Sequence, residues 1–253
     1  MSEANYSLRK LLREGAASVG APLEAEQVEK FLLYLEAVRE GNKKANLTST
    51  SNRRELILKH FIDSLSCVPL LPLNPDISLL DVGSGAGFPG LVLKIYRPDV
   101  HLALLEASGK KCAFLASLIE KLKLSETELL RDRAEMYGQE VRHREHYQVV
   151  VSRAVAPLKV LVEYCLPFVK KGGLFIAQKG PKGYDELQEA AGAISLLGGK
   201  VSGIREITLP AGNENRLLIS LTKNSSTPSK YPRRPGIPRK RPLLRRPGSN
   251  LSS

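Results

Sequence analysis

Apolar positions from Leu8 to Val68 recur at three- and four-residue intervals, and from Ile77 onward they gather into short solid runs. The first spacing predicts helices. Leu8, Leu11, Leu12 and Val19 mark one helix, and Val28, Phe31, Leu32, Leu35 and Val38 mark a second that ends near Gly41. Gly20, Ala21 and Pro22 separate them. Beyond the Ser/Thr-rich NLTSTS, a third pattern carries Leu56, Ile57, His60, Phe61, Ser64, Leu65 and Val68 to a stop at Pro69 and Pro72. The solid runs predict strands at 77–82, 101–105, 126–131, 147–151, 173–178, 200–208 and 215–222. Helices are predicted at 89–96, 108–122, 157–169 and 183–196, with a turn near 134–138.

Alternating strands and helices imply a parallel sheet with right-handed crossovers. Only the short loop around Pro210 to Asn213 joins the last two strands, which predicts an antiparallel hairpin there. The expected organisation is a helical cap over 1–72, an α/β domain over 73–222 and a tail over 223–253.

The richest segment is LLDVGSGAGFPG, from Leu79 to Gly90. A buried strand breaks there into a loop almost free of side chains, and Gly83, Gly85 and Gly87 let a ligand approach the backbone. Gly85, Gly87 and Gly90 also satisfy G-x-G-x-x-G, so a dinucleotide is one reading. Two features favour S-adenosylmethionine. Asp81 stands at the strand end, where a carboxylate meets a cationic ligand. Phe88 and Pro89 fill the turn where a pyrophosphate needs open N–H groups. Glu106 closes the second strand, about twenty residues after the loop, and is placed for the hydroxyls of an adenosine ribose. That ribose is common to both ligands. A parallel sheet closed by a C-terminal hairpin, with no room for a substrate domain, decides for a Rossmann-like class I S-adenosylmethionine-dependent methyltransferase over an NAD(P)-dependent oxidoreductase. A non-enzymatic RNA-binding protein with a relic pocket is the third reading.

Net charge is +12, and nine lysines and arginines with no acid lie between Lys223 and Ser253. Six of the sixteen prolines share that stretch, so a basic, extended, unpacked tail is expected, suited to phosphates. Cys67, Cys112 and Cys165 stand apart without metal-ligand spacing, which argues against disulfides and zinc. MSEANYSLRK has no apolar signal region and no stretch is long enough to span a membrane, so a cytoplasmic protein is expected. His143 and His146 read as a solvated turn and His60 as a packed core histidine.

Several further segments complete a pattern: NLTS from Asn46, KHFIDSLS from Lys59, LLEASGKK from Leu104, RAE from Arg133, VVSRAVAPL from Val150 and NRLLIS from Asn215. In this order, and with DVGSGAGFPG, they resemble the bacterial ribosomal RNA small subunit methyltransferase G family, also called glucose-inhibited division protein B. The resemblance covers nearly the whole chain. It implies methylation of nitrogen-7 of one guanine in 16S rRNA, with S-adenosylmethionine as cofactor and rRNA or a small-subunit precursor as partner. It also implies cofactor contacts at Gly83, Phe88, Glu106, Ala134, Glu135 and Arg153, beside Gly85 and Gly87 of the loop. Arg153, at a strand end, suits a carboxylate or an rRNA phosphate, or else a salt bridge to Asp81 or Glu135.

Nitrogen-7 carries an in-plane lone pair, so no general base is expected and the rate gain comes from positioning. Its edge faces the deep, narrow groove of A-form RNA, so the base must be unpaired or extruded. Asn46 and Asp63 are candidates for the guanine edge, and Arg153 and Arg216 for the flanking phosphates. Lys43, Lys44, Arg53, Arg54, Lys179 and Lys182 are expected to contact rRNA. A monomer needing no metal completes the expectation.

Overall fold

Leu79, Leu80 and Asp81 pair in parallel with Leu102, Ala103 and Leu104 on one side and with Val149, Val150 and Val151 on the other. The centre of the sheet is thus built from the most apolar runs of the chain. The computed structural model describes residues 3–210 and 215–243. Its strands are β1 (Ser78–Val82), β2 (His101–Leu105), β3 (Thr127–Leu130), β4 (Tyr147–Arg153), β5 (Val169–Lys179), β6 (Gly199–Thr208) and β7 (Asn215–Lys223). They form one seven-stranded sheet in the order β3-β2-β1-β4-β5-β7-β6. The first five run parallel; β7 pairs antiparallel with both β5 and β6, which is the expected hairpin.

Side-chain alternation divides the core between the two sheet faces. Leu79 faces a cluster with Leu12, Phe31, Phe61, Leu91 and Leu115. These come from α1 (Glu3–Ser18), α2 (Ala25–Ala45), the helical stretch 53–65, α5 (Gly90–Tyr96) and α6 (Gly109–Lys121). Leu80 and Val82 face Leu161, Phe168, Ile194 and Tyr231, from α8 (Leu158–Cys165), a 3₁₀ turn, α9 (Gly183–Leu196) and the C-terminal segment. Each such side chain contributes about 1.5–3 kcal/mol by leaving water. The N-terminal helices therefore share a core with the sheet. Among the described residues no helix is long and apolar enough to cross a membrane.

Three boundaries differ from expectation for local reasons. Helix α2 runs through Gly41 to Ala45. A Cβ at Gly41 would press on Leu47 and Phe114, so this glycine serves packing and does not stop the helix. The stop is Asn46, whose φ of 44° is left-handed. Strand β5 starts at Val169, earlier than expected, because Lys170, Lys171, Gly172 and Gly173 hide its apolar pattern. The third helical pattern is α3 (Arg53–Leu56), a π-helical turn (Ile57–Ile62) and α4 (Asp63–Leu65). Such turns recur at functional sites.

The segment expected to be an unpacked tail is a docked strap as far as Leu243; residues 244–253 lie outside the described residues. The side chain of Arg144 donates to the carbonyls of Thr227 (2.7 Å) and Tyr231 (2.6 Å). Gln139 donates to the Pro232 carbonyl at 2.7 Å. Arg233 makes a forked pair, at 2.8 and 2.6 Å, with the fully buried Glu163. A short helix, α10 (Ile237–Lys240), follows. Prolines prevent a ladder here, but these side chains satisfy the carbonyls instead.

Candidate functional site

The strand order reverses between β1 and β4, and the loops leaving their carboxyl ends border a cavity of about 350 Å³. Gly83, Glu106, Ala134 and Glu135 line it together with Lys111, Arg133, Val155 and Tyr164. The loop is pinned to β2, since the N–H groups of Gly83 and Ser84 donate to the Leu105 carbonyl at 2.8 and 3.1 Å. Gly83 has φ +76°, and a Cβ there would collide with Val155. Glycine is required at this close approach. Gly85 has open space where a side chain would stand, apart from the Gly83 carbonyl at 3.9 Å.

Glu106 accepts from the Gly85 N–H at 2.9 Å and from the Ser108 N–H at 2.8 Å, one bond to each oxygen. A carboxylate has about four acceptor positions, so capacity for a vicinal diol remains. Glu135, first turn of α7 (Ala134–Tyr137), accepts at Oε1 from the Gly236 N–H of the strap at 2.9 Å. A fixed carboxylate pair, a bare loop and an apolar wall fit an adenosine.

Asp81 departs from expectation. Its side chain lies on the α5 face of β1, fully buried, and lines neither cavity of the site. Oδ2 accepts from the Gly90 N–H at 2.9 Å, while Oδ1 is buried without a partner. Burial pushes its carboxyl up to about 7. Asp81 therefore anchors the start of α5.

A second cavity, of about 560 Å³, adjoins the first and shares Ala154 and Val155 with it. Ala154 takes a left-handed φ of 57°, worth about 1–2 kcal/mol of strain, and this turn brings Val155 between the cavities. His60, Asp63, Arg153, Gln178, Lys179 and Arg216 line the second cavity. Arg153 is satisfied by Asp63 Oδ2 (3.0 Å), the Lys59 carbonyl (3.0 Å) and His60 Nδ1 (2.9 Å). Its salt bridge is thus to Asp63, and neither Asp81 nor Glu135 is the partner. Arg216 Nε also approaches Asp63 Oδ2, at 3.4 Å. The Arg153 guanidinium lies 5.1 Å from the Phe88 ring centroid. Phe88 stacks with His60 at 5.0 Å and with Tyr34 at 5.2 Å, and Tyr34 is tied by its hydroxyl to the Ala86 carbonyl at 2.6 Å. Burial first, then the charges of Arg153, Arg216 and Lys59, pull the His60 imidazole down to about 3. It is neutral at any working pH.

The remaining candidates divide. Gly87 packs against Tyr34 and Leu91, and Phe88 is buried in the aromatic stack; neither lines a cavity. Asn46 is exposed and lines neither cavity. Lys179 is buried, donating to the Ala156 carbonyl at 2.6 Å and paired with Glu186 at 2.7 Å, so it does not present a surface charge. Arg53 pairs with Glu36 at 2.7 Å. Lys43, Lys44, Arg54 and Lys182 are exposed. His143 is buried and bonded to the Tyr147 hydroxyl at 2.8 Å, which replaces the solvated turn. Cys67, Cys112 and Cys165 are buried free thiols.

Sequence reasoning missed Val155, Tyr164, Gln178 and the strap donor Gly236. Val155 had one signal, an apolar residue two positions after a strand-end arginine. It also took His60 for a core residue, although the π-helical turn sets it at the cavity wall.

A family model described as rRNA small subunit methyltransferase G matches residues 27–217. The chain is 45% identical over 235 residues to Ribosomal RNA small subunit methyltransferase G of Alkaliphilus metalliredigens, covering 93% of this chain and 98% of that one. It is 47% identical over 236 residues to the protein of the same name from Pelotomaculum thermopropionicum, covering 93% and 99%. Among solved structures, MtNAS in complex with MTA and tNA aligns with a TM-score of 0.53 at 14% identity, over 89% of this chain and 78% of that one. TrmN from Thermus thermophilus aligns with a TM-score of 0.50 at 14% identity, over 66% and 53%. These two likenesses concern the fold.

Proposed function

The chain belongs to the rRNA small subunit methyltransferase G family, and we propose how its two adjoining cavities divide the work of that family's reaction. The protein is an S-adenosylmethionine-dependent 16S rRNA methyltransferase. The smaller cavity holds the adenosine, with Glu106 on the ribose, Ala134 and Glu135 on the adenine edge, and Gly83 and Gly85 giving backbone access. The larger cavity receives the target guanine. The observation that carries this reading is the wall they share, Ala154 and Val155, which sets a nucleobase site against a nucleoside site.

When bound, S-adenosylmethionine supplies an electrophilic methyl on a sulfonium, to which nitrogen-7 gives its lone pair without losing a proton. The protein's part is to position the base and exclude water, worth on the order of 7–11 kcal/mol in effective molarity. Asp63, in the grip of Arg153 and Arg216, is a positioning residue that holds both guanidiniums at the cavity rim. Arg153 and Arg216 face the phosphates that flank the base. Lys43 and Lys44 line a groove of about 750 Å³ with Lys110 and Lys121 of α6, a track for the phosphate chain. Arg54 and Lys182 extend the basic surface. The enzyme works as a monomer without a metal, in the cytoplasm where ribosomal subunits are assembled.

The test is transfer of labelled methyl to small-subunit rRNA or its precursor particles. Incorporation at a guanine nitrogen-7, lost in Gly83→Val and slowed at limiting cofactor in Glu106→Ala, supports the assignment. Wild-type rates in both variants overturn it.

A further inference from the structure

The wall of the guanine cavity contains a hydrogen-bond donor of fixed orientation. Arginine can only donate, so the 2.9 Å contact between Arg153 and His60 Nδ1 makes Nδ1 the acceptor. The imidazole proton is therefore on Nε2. Among the described residues Nε2 has no protein partner, and it is not one of the buried orphan atoms, so it opens to the cavity that His60 lines. The ring is clamped in place: it stacks on Phe88 at 5.0 Å, and Phe88 stacks on Tyr34 at 5.2 Å. A clamped donor beside the cofactor site selects for an acceptor on the substrate.

The edge of guanine that carries nitrogen-7 offers two acceptors, N7 and O6, whereas the same edge of adenine offers an acceptor and the N6 amino donor. We propose that His60 reads the target base by donating Nε2–H to guanine O6, leaving N7 free for the methyl. This rests on the reading above and names the group that makes it specific for guanine. The same contact would set the N6 amino group of adenine against an N–H and reject it. A neutral imidazole also suits the product, because N7-methylguanine is cationic and an imidazolium at O6 would repel it. Burial and three nearby cations keep the ring neutral.

The experiment compares methyl transfer to rRNA carrying guanine, 6-thioguanine or 2-aminopurine at the target position. The second weakens the acceptor and the third removes it, while both keep N7. Wild type is expected to prefer guanine over 2-aminopurine by roughly tenfold or more in kcat/KM, the scale of one hydrogen bond. His60→Phe keeps the stack but has no donor, and its preference should shrink to about twofold, with S-adenosylmethionine affinity by calorimetry unchanged. His60→Gln, whose amide both accepts from Arg153 and donates outward, should restore most of the preference. Equal wild-type rates on guanine and 2-aminopurine overturn the assignment whatever the variants do, as does full discrimination by His60→Phe. A wild type that binds cofactor yet leaves unmodified guanine unmethylated overturns the enzymatic reading as well, so the two failures are distinguishable.

Discussion

The backbone N–H of Gly236 donates to Oε1 of Glu135 across 2.9 Å, joining the C-terminal strap to the wall of the cavity proposed for the adenosine. The family model ends at residue 217, so this brace lies beyond it. Two charges of the strap are spent inside the molecule, Arg233 on Glu163, and Lys223 on the Leu166 carbonyl at 2.7 Å and on Glu145 at 3.3 Å, while Lys230, Arg234, Arg239, Lys240 and Arg241 are exposed. A chain ending at Asn224 should bind S-adenosylmethionine roughly tenfold more weakly, the loss of about one hydrogen bond's worth of ordering. Titration calorimetry reads the loss, and a synthetic peptide of residues 224–243 should restore part of it.

Arg233→Met leaves the Glu163 carboxylate buried without its counter-charge, with the backbone N–H of residue 233 still donating to Oε1. Removing one partner of such a pair costs on the order of 3–5 kcal/mol. Urea unfolding should show this drop, and Glu163→Gln added to Arg233→Met should recover much of it. Equal stability of Arg233→Met and wild type would contradict the ion pair.

Glu106→Ala removes the acceptor for two backbone donors as well as the proposed ribose ligand. Hydrogen bonds to charged groups are worth about 1.5–3 kcal/mol, so cofactor affinity should fall roughly ten- to a hundredfold. The maximal rate at saturating cofactor should change less, since Glu106 lies at the ribose and not at the methyl. A large fall in kcat with unchanged affinity would place Glu106 elsewhere in the reaction.

Two buried groups give stability opposite pH slopes. Asp81 holds its proton in the fold up to about 7, against an ordinary value of 3.8. Between those values the unfolded chain binds fewer protons, so the Asp81 contribution falls as pH rises, by at most about 1.4 kcal/mol per pH unit. His60 titrates at about 3 in the fold against 6.5 ordinarily, so its contribution falls as pH drops below 6.5. Asp81→Asn should gain on wild type as pH rises from about 4 to 8, and His60→Gln should gain as pH falls from about 6.5 to 4. Denaturant midpoints across that range provide the check. Parallel curves for either variant and wild type would disprove the corresponding shift.

The sheet was legible because strand β1, β2 and β4 residues are solid apolar runs, and the ends of β2 and of α9 fall at the expected residues. That Gly83 and Glu106 line one cavity was legible for a related reason: they follow consecutive parallel strands, so their neighbourhood follows from topology. Asp81 was misread because strand alternation turns it towards Gly90, a partner that a loop-centred reading overlooks. Lys179 carries the charge of an RNA contact, but its ion pair with Glu186 of α9 depends on how that helix docks. The strap was illegible for a deeper reason. Its anchors, Gln139, Arg144, Glu145 and Glu163, lie far away in sequence, and a proline-rich segment has no periodicity of its own to announce them.

Translation runs from the N-terminus, so the ribosome makes Gly236 and Arg233 after Glu135, Glu106 and the glycine loop have already emerged. All seven strands, the last ending at Lys223, are therefore made before the donor that braces Glu135.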